Sequence, residues 1–325
     1  MSLDVDQAID RRRMRRKVTF WRIFAVVAVL LAVGGLIAGA GGANYIEKSS
    51  AHVARVTIGG LIRNDKDRVK LFEEIEKSGA KAVLILIDSP GGTVTGSEQL
   101  FNALRKLNEK KPVIAVIEGS AASGAYIAAL GTERIFAPRS AIVGSIGVIF
   151  QYPNFHELLQ KIGVDVESIK SSPLKASPNG LEPTPPEAKA AVAALVADSY
   201  DWFKGLVQER RSLDAATLAR VSDGRVFTAA QALPLKLIDE IGDEKTARAW
   251  LAKNKNVSAD MTVRDWKVRT PGSEFRWLRA ASVLFELAGF NGIAGAISNE
   301  SVLRAAASAQ LDGLLALWHP QLSNQ

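Results

Sequence analysis

Two glycine- and serine-rich stretches carry the residues of this 325-residue chain best suited to covalent chemistry. The first is Gly119-Ser120-Ala121-Ala122-Ser123-Gly124-Ala125-Tyr126, which follows the apolar run Val113 to Ile117 and opens into Ile127-Ala128-Ala129-Leu130. That pattern predicts a buried strand, a tight turn of small residues and a helix. A serine in the first turn of such a helix lies close to unpaired backbone N–H groups and the positive end of the helix dipole. These are the surroundings of a nucleophilic hydroxyl, because an acyl-transfer oxyanion must be met by donors already in place. The same serines also suit a plain helix cap. The second stretch, Asp88-Ser89-Pro90-Gly91-Gly92, ends the apolar run Ala82 to Ile87. Its two glycines let the backbone turn sharply and present N–H groups outward as an anion nest. No Gly-Lys-Ser/Thr follows, and Gly91 to Gly96 does not fit the dinucleotide fingerprint, so an oxyanion hole is the better use.

A serine nucleophile needs a base. The chain has no cysteine, which excludes disulfides, thiol catalysis and zinc–thiolate sites. His52, His156 and His319 are far apart in sequence, and His156 falls in an expected surface helix, Phe155 to Lys161. Lysine serves when desolvation favours its neutral form. Lys170 and Lys175 both lie in the proline-punctuated segment Ile169 to Pro178, and the residues alone do not choose between them. The next helix is expected to start with Thr184 as N-cap, Pro185 at the first helical position and Glu187 closing a capping box.

The elements that must position these residues alternate in type. Strands are expected over His52 to Ile58, Ala82 to Ile87, Pro112 to Ile117, Arg134 to Phe136 and Ala141 to Val143, with helices over Asp65 to Ser78 and Ser97 to Leu107. The uninterrupted apolar run at Ala82 to Ile87 reads as a parallel strand covered on both faces. This alternation predicts an α/β domain with right-handed βαβ crossovers. Both glycine- and serine-rich turns would then sit at the carboxyl ends of strands, where sites of such sheets gather.

Charge is concentrated at one end. The chain carries a formal +7, of which residues 1–22 supply +4, from seven Lys/Arg against Asp4, Asp6 and Asp10. The rest forms no basic stripe, which argues against nucleic-acid binding. From Ile23 to Ile46 there is no charged residue, long enough for the roughly 20 residues that cross a bilayer as a helix. Phe20 and Trp21 stand at one edge and Tyr45 at the other, where aromatic belts form, and the arginine cluster orients the N-terminus to the cytoplasm. A retained single-pass anchor is expected. The competing reading is a signal peptide cleaved near Ala38-Gly39-Ala40.

Taken together, Asp88-Ser89-Pro90-Gly91-Gly92, Gly119 to Tyr126, Gly144-Ser145-Ile146-Gly147, Gly224-Arg225-Val226-Phe227-Thr228-Ala229 and Leu237-Ile238-Asp239-Glu240-Ile241-Gly242 resemble bacterial signal peptide peptidase A. The resemblance covers roughly residues 50–250. It implies a Clp protease/crotonase-like fold of repeated βαβ units behind a single N-terminal transmembrane helix. It further implies Ser123 as nucleophile, Lys175 rather than Lys170 as general base, and Ser145 as the serine that orients the lysine. The backbone N–H groups of Gly91 or Gly92, with Gly124, would form the oxyanion hole, and no metal or cofactor is needed. The family often has glycine after the threonine at 228 and in a Gly-Leu-Ile/Val-Asp segment; here Ala229 and Lys236 stand instead.

The resulting expectation is a serine endopeptidase of a bacterial inner membrane, its catalytic domain on the periplasmic side. It would hydrolyse residual signal peptides and other apolar peptides, and work as a homo-oligomeric ring. The expected layout is a basic N-terminus at 1–22, an anchor at 23–46, a protease domain at 47–250 and an extension at 251–325. In that extension Thr262 to Val268 reads as a strand, while Phe275 to Leu287 and Val302 to Leu317 have helical apolar spacing. Two other readings share the glycine-rich turns: a crotonase-type acyl-CoA enzyme, and a catalytically silent membrane scaffold of the same fold.

Overall fold

A computed structural model describes residues 16–24, 48–268 and 315–317. The chain divides into two units, one joining Met1–Ser50 with Arg269–Ala305, the other joining Ala51–Val268 with 306–325. Within the first, residues 16–24 are helical, and Trp21 makes edge-to-face contacts with Phe20 and Phe24. Among the described residues no helix is long and apolar enough to cross a membrane. The expected anchor lies outside the described residues from position 25 to 46, as do the expected helix at 275–287 and positions 302–314.

The larger unit is built on parallel strands. β1 (His52–Gly59) leads through α1 (Lys66–Lys77) to β2 (Ala80–Ser89), which lies parallel to it with Val53 opposite Ala82 and Gly59 opposite Asp88. The helix starts where Asp65 accepts from the backbone N–H groups of Asp67 and Arg68, and it buries Leu71, Phe72 and Ile75. After β3 (Gly91–Thr93), α2 (Val94–Asn108) returns the chain to β4 (Val113–Ala122), parallel to β2 on its other side.

Alternate side chains of β2 explain its unbroken apolar run. Val83, Ile85 and Ile87 join a core with Phe72, Leu104 and Tyr126, while Ala82, Leu84 and Leu86 face a second core with Phe136, Leu251 and Val257. Each fully buried aliphatic side chain of this kind contributes about 1.5–3 kcal/mol.

α3 (Gly124–Leu130) follows β4 directly, and then come β5 (Arg134–Ala137) and β6 (Ile142–Gly144). β4 forks at this edge. Its middle, Ile114 to Val116, pairs with β5, whereas its end, Ser120 to Ala122, pairs with β6. The chain continues through α4 (His156–Lys161), α5 (Pro186–Arg211), α6 (Ala215–Val221), β7 (Val226–Thr228), α7 (Ala229–Ala232), β8 (Glu240–Ile241), α8 (Glu244–Lys255) and β9 (Val263–Asp265). The main sheet runs β7-β6-β4-β2-β1-β9, with β5 and β8 branching from β4. α8 runs across residue 250 and β9 pairs with β1, so the compact unit continues to Val268.

Several local expectations are corrected. β4 runs five residues past Ile117, because Ser120 to Ala122 find partners in β6; the only break before α3 is Ser123 itself. Thr93, accepting from the Gly96 N–H at 3.1 Å, starts α2 three residues before Ser97. Thr184 is not a cap. Pro186 occupies the first helical position and holds Pro185 extended at φ −63°, ψ 149°, and the Thr184 hydroxyl pairs instead with the Tyr152 hydroxyl at 3.0 Å. Leu315–Leu317 form a strand, β10, rather than the end of a helix.

Candidate active site

The carboxyl ends of β2 and β4 lie side by side and are tied together. Asp88 Oδ1 accepts from the Ser120 N–H at 3.0 Å and faces the Ser120 hydroxyl at 3.2 Å. Glycine at 119 leaves room for this contact, since a Cβ there would come within 2.6 Å of that carboxylate oxygen and push the Asp88 side chain aside.

Ser123 joins β4 to α3 at φ 54°, ψ −117°, a backbone conformation that side-chain-bearing residues rarely adopt. A sharp strand-to-helix turn of this kind is what projects the nucleophile at the top of the sheet in α/β-hydrolases. The turn is fixed on both sides: Ser123 N–H donates to the Gly144 carbonyl at 2.8 Å, and its carbonyl accepts from Tyr126 and Ile127. Ser123 occupies the N-cap position, yet its side chain makes no capping hydrogen bond, so the plain cap does not describe it. The residue is 1% exposed, and its hydroxyl reaches only the Gly147 carbonyl among the described residues, at 3.3 Å.

The two candidate oxyanion glycines differ in what their N–H groups do. Gly91 donates to Ser89 Oγ at 3.1 Å, and Ser89 in turn donates to the Gly60 carbonyl at 2.6 Å, so the Gly91 N–H is engaged. Gly91 and Gly92 do not form the simple turn expected of them. They belong to β3, held on one edge by Ile62, which donates to the Gly91 carbonyl and accepts from the Thr93 N–H, both at 2.9 Å. Successive residues of a strand direct their polar groups to opposite edges. Gly92 therefore turns its N–H and carbonyl away from Ile62. Its lack of a side chain is a requirement, as a Cβ would sit 1.8 Å from the Ile62 carbonyl oxygen. Gly124, the first residue of α3, has an N–H with no partner inside its own helix.

Gly144-Ser145-Ile146-Gly147 straps over Ser123 through the two carbonyls just named. Ser145 is itself left-handed, at φ 51°, and its N–H donates to the Arg225 carbonyl at 2.8 Å. This ties the strap to the Gly224 to Ala229 stretch. The Leu237 to Gly242 stretch holds α3 from below: the fully buried Tyr126 hydroxyl donates to the Leu237 carbonyl at 2.7 Å. Burial pushes the Tyr126 phenol well above its ordinary range, so it stays a donor. Asp239 accepts from the Ile135 N–H and from both terminal nitrogens of Arg211.

The two candidate lysines lie on the excursion between Gly147 and Pro186. Its limbs are joined by Tyr152 to Thr184, by Phe155 N–H to the Gly180 carbonyl, and by a short contact between Lys170 and Glu182. The Lys170 ammonium holds the Glu182 carboxyl below its usual range. Lys170 is thus occupied. Lys175 is exposed; its backbone N–H donates to the Ser172 carbonyl at 3.1 Å, while its ammonium has no hydrogen-bond or ionic partner among the described residues, Ser123 and Ser145 included. It stands next to Ala176, a third left-handed residue, at φ 55°. The excursion also leaves Phe155, Leu158, Ile162, Ile169 and Leu174 exposed, so α4 has an uncovered apolar face in the single chain.

The structure thus gathers Ser123, Ser145, Gly91, Gly92 and Gly124 at one sheet edge and leaves the Lys175 ammonium unpaired among the described residues. Sequence reading missed three supports of that edge: Asp88 as acceptor for Ser120, Ser89 as acceptor for Gly91, and Ile62 as the partner of β3. The polar residues closing β2 hinted at the first two. Nothing near Ile62 marks the third.

Comparison with known proteins follows the same residues. The pattern defining peptidase family S49 matches residues 105–258. A putative protease of Synechocystis sp. is 37% identical over 215 residues, covering 66% of this chain and 78% of that protein. A putative signal peptide peptidase SppA of Enterococcus faecium is 30% identical over 252 residues, covering 77% of this chain and 70% of the relative. Among solved structures, a 1510-N membrane-bound stomatin-specific protease aligns with a TM-score of 0.43 at 18% identity, over 68% of this chain and 99% of that one. With a relative this similar matched over most of its length, the chain belongs to peptidase family S49, as an SppA-type serine peptidase.

Proposed function

We propose that this chain is a membrane-anchored endopeptidase that hydrolyses residual signal peptides and other apolar peptides with a Ser123/Lys175 dyad. The observation that carries the reading is the buried Ser123, its hydroxyl making no cap, at a left-handed strand-to-helix junction that opens with Gly124 and whose helix packs against β3, the strand of Gly92. Neutral Lys175 takes the Ser123 proton as Oγ attacks the scissile carbonyl, and the tetrahedral oxyanion accepts from Gly92 and Gly124. The lysine proton passes to the leaving amine, the C–N bond breaks, and water, deprotonated by the same amine, releases the acyl group from Ser123. Ser145 orients the lysine. Gly91 is set aside as a donor because Ser89 already accepts its N–H.

The amine must reach Ser123 for this chemistry. The uncovered apolar side chains of the excursion suggest how: in a homo-oligomeric ring they are buried against a second copy, and the Lys175 loop settles over a serine. The uncharged run at 23–46 anchors the chain in the bacterial inner membrane with the peptidase unit on the periplasmic side, which concentrates apolar membrane-derived peptides near the site.

The test is hydrolysis of an apolar fluorogenic peptide by the full chain in detergent, across pH, with Ser123→Ala, Lys175→Ala and Lys170→Ala. Loss of about a thousandfold or more in kcat/KM is expected for the first two, with Lys170→Ala close to wild type. Activity surviving Ser123→Ala overturns the mechanism. Loss in Lys170→Ala with Lys175→Ala active moves the base to Lys170. Carbonate extraction of membranes tests the anchor, which fails if the chain is released.

A further inference from the structure

Residues 315–317 of the same chain lie along β3. They form β10, antiparallel to it, with Leu315 opposite Thr93, Ala316 opposite Gly92 and Leu317 opposite Gly91. The two strands make a small sheet of their own, and both lie close to α3, the helix that Ser123 opens. The register is informative. Ile62 takes the Gly91 carbonyl and the Thr93 N–H on one edge of β3, which leaves the Gly92 N–H and carbonyl directed at the other edge, toward Ala316. The backbone of Ala316 is thus matched to the donor that the mechanism above assigns to the oxyanion.

An exposed strand edge beside a nucleophile is where an extended peptide adds as one more strand, with main-chain hydrogen bonds supplying affinity. Leu314-Leu315-Ala316-Leu317-Trp318 is an apolar peptide of the class this site is proposed to take. We infer that residues 315–317 are a built-in, substrate-like strand that occupies the β3 edge and competes with incoming peptide, so that the peptidase carries its own inhibitor. This rests on the functional reading above for the identity of the competitor, though the occupied edge itself comes from the pairing. A covalently tethered strand acts at an effective concentration on the order of millimolar, enough to raise the apparent KM severalfold against a weakly bound peptide.

The experiment uses the full chain with Ala316→Pro, which removes the N–H facing Gly92 and cannot pair there. Ala316→Ser keeps that N–H and is the control. Binding is read with a fluorescent peptide of sequence 312–320 on the Ser123→Ala background, where no turnover intervenes. Hydrogen exchange at Gly92 reports release of the edge directly. Ala316→Pro is expected to tighten binding of the added peptide by about threefold or more, lower the KM for an apolar substrate similarly with kcat unchanged, and expose the Gly92 amide to exchange; Ala316→Ser does none of these. If the chain hydrolyses peptides but Ala316→Pro changes neither KM nor peptide affinity, the inference falls and the peptidase stands. If affinity and exchange shift while no form hydrolyses any peptide, the occupied edge stands and the functional reading falls. A labelled peptide that binds neither form overturns the inference.

Discussion

Gly92→Ala places one methyl group where the fold has no room and where the proposed chemistry is least tolerant. The new Cβ would stand 1.8 Å from the Ile62 oxygen, 2.5 Å from its carbon and 2.6 Å from its nitrogen, all backbone atoms that cannot swing aside. Ordinary contact begins at 3.4 Å, so β3 must withdraw by about 1.6 Å or break its two hydrogen bonds to Ile62. Overpacking of this kind costs about 1–3 kcal/mol. A displacement of about 1 Å at a reacting centre costs roughly a hundredfold in rate, and the Gly92 N–H moves with the strand. The expected result is a hundredfold or greater loss of kcat/KM on an apolar peptide, with a urea midpoint lowered in proportion to a loss of about 1–3 kcal/mol. Gly59→Ala is the matched control, because the nearest atom to its Cβ is the Asp88 carbonyl at 3.7 Å. It should leave both readings near wild type. Gly92→Ala with full activity and an unshifted midpoint would refute the account of β3 as a strand locked against Ile62.

Lys236→Gly should stabilise the protein. Lys236 sits at φ 60°, where a side-chain-bearing residue costs about 1 kcal/mol over glycine, and its backbone links to Leu233 and Arg211 survive the change. After glycine's greater freedom in the unfolded chain is deducted, about 0.5 kcal/mol is expected, a rise of roughly 1–2 °C in Tm; a fall in Tm would contradict the conformational argument. Acid should destabilise the fold through carboxylates held below their ordinary range. Asp214 and Asp243 are so held by the N–H groups of the helices they cap, Asp223 by Arg225 and Asp265 by Arg55. Because the folded pKa is the lower one, this stability is present above the unfolded carboxylate value, near 4, and is lost as pH falls through the folded values. Urea midpoints should hold from pH 7 to about 5 and drop below about 4. A midpoint flat to pH 3 would show that the caps and pairs contribute nothing.

Where local chemistry decides the structure, the sequence could be read. Asp65 caps α1 because its carboxylate suits two adjacent N–H groups, and β2 is visible as a strand because both its faces are buried. Where a distant partner decides, it could not. β4 looked finished at Ile117, since Glu118, Gly119 and Ser120 are polar or small, yet Asp88 and β6 keep it extended to Ala122. Thr184 had the spacing of a capping box, but a second proline moved the helix start past it. The apolar run ending at Leu317 is too short for its period to separate helix from strand, and pairing with β3 settles it as a strand. Of the site, Ser123 and the glycines were legible because the turn demands small residues. The difference between Gly91 and Gly92 was not, as it depends on Ser89 and Ile62.

The left-handed residues make the same division in energetic terms. Among the described non-glycine residues with positive φ, Ser212 and Asn256 end α5 and α8, a use in which αL geometry satisfies the last helical carbonyls. Lys236 lies in the turn after α7, where its N–H donates to the Leu233 carbonyl and its own carbonyl accepts from Arg211. The three others are Ser123, Ser145 and Ala176, two of them proposed members of the site and the third adjacent to Lys175. None of these three ends a helix, and each costs about 1–3 kcal/mol that nearby structure must offset. For Ser123 the offsets are visible in the Gly144 carbonyl and the first turn of α3; for Ser145, in the Arg225 carbonyl. Ala176 sits in an exposed turn whose local bonds run from the Lys175 N–H to the Ser172 carbonyl and from the Ser177 N–H to the Leu174 carbonyl. Those two bonds are the local offset for Ala176, and of the residues they join Ser172, Leu174 and Lys175 are exposed in the single chain. The segment that carries Lys175 is also the one that leaves Phe155, Leu158, Ile162, Ile169 and Leu174 uncovered, so the proposed docking against a second copy would bury these side chains and the strained turn together.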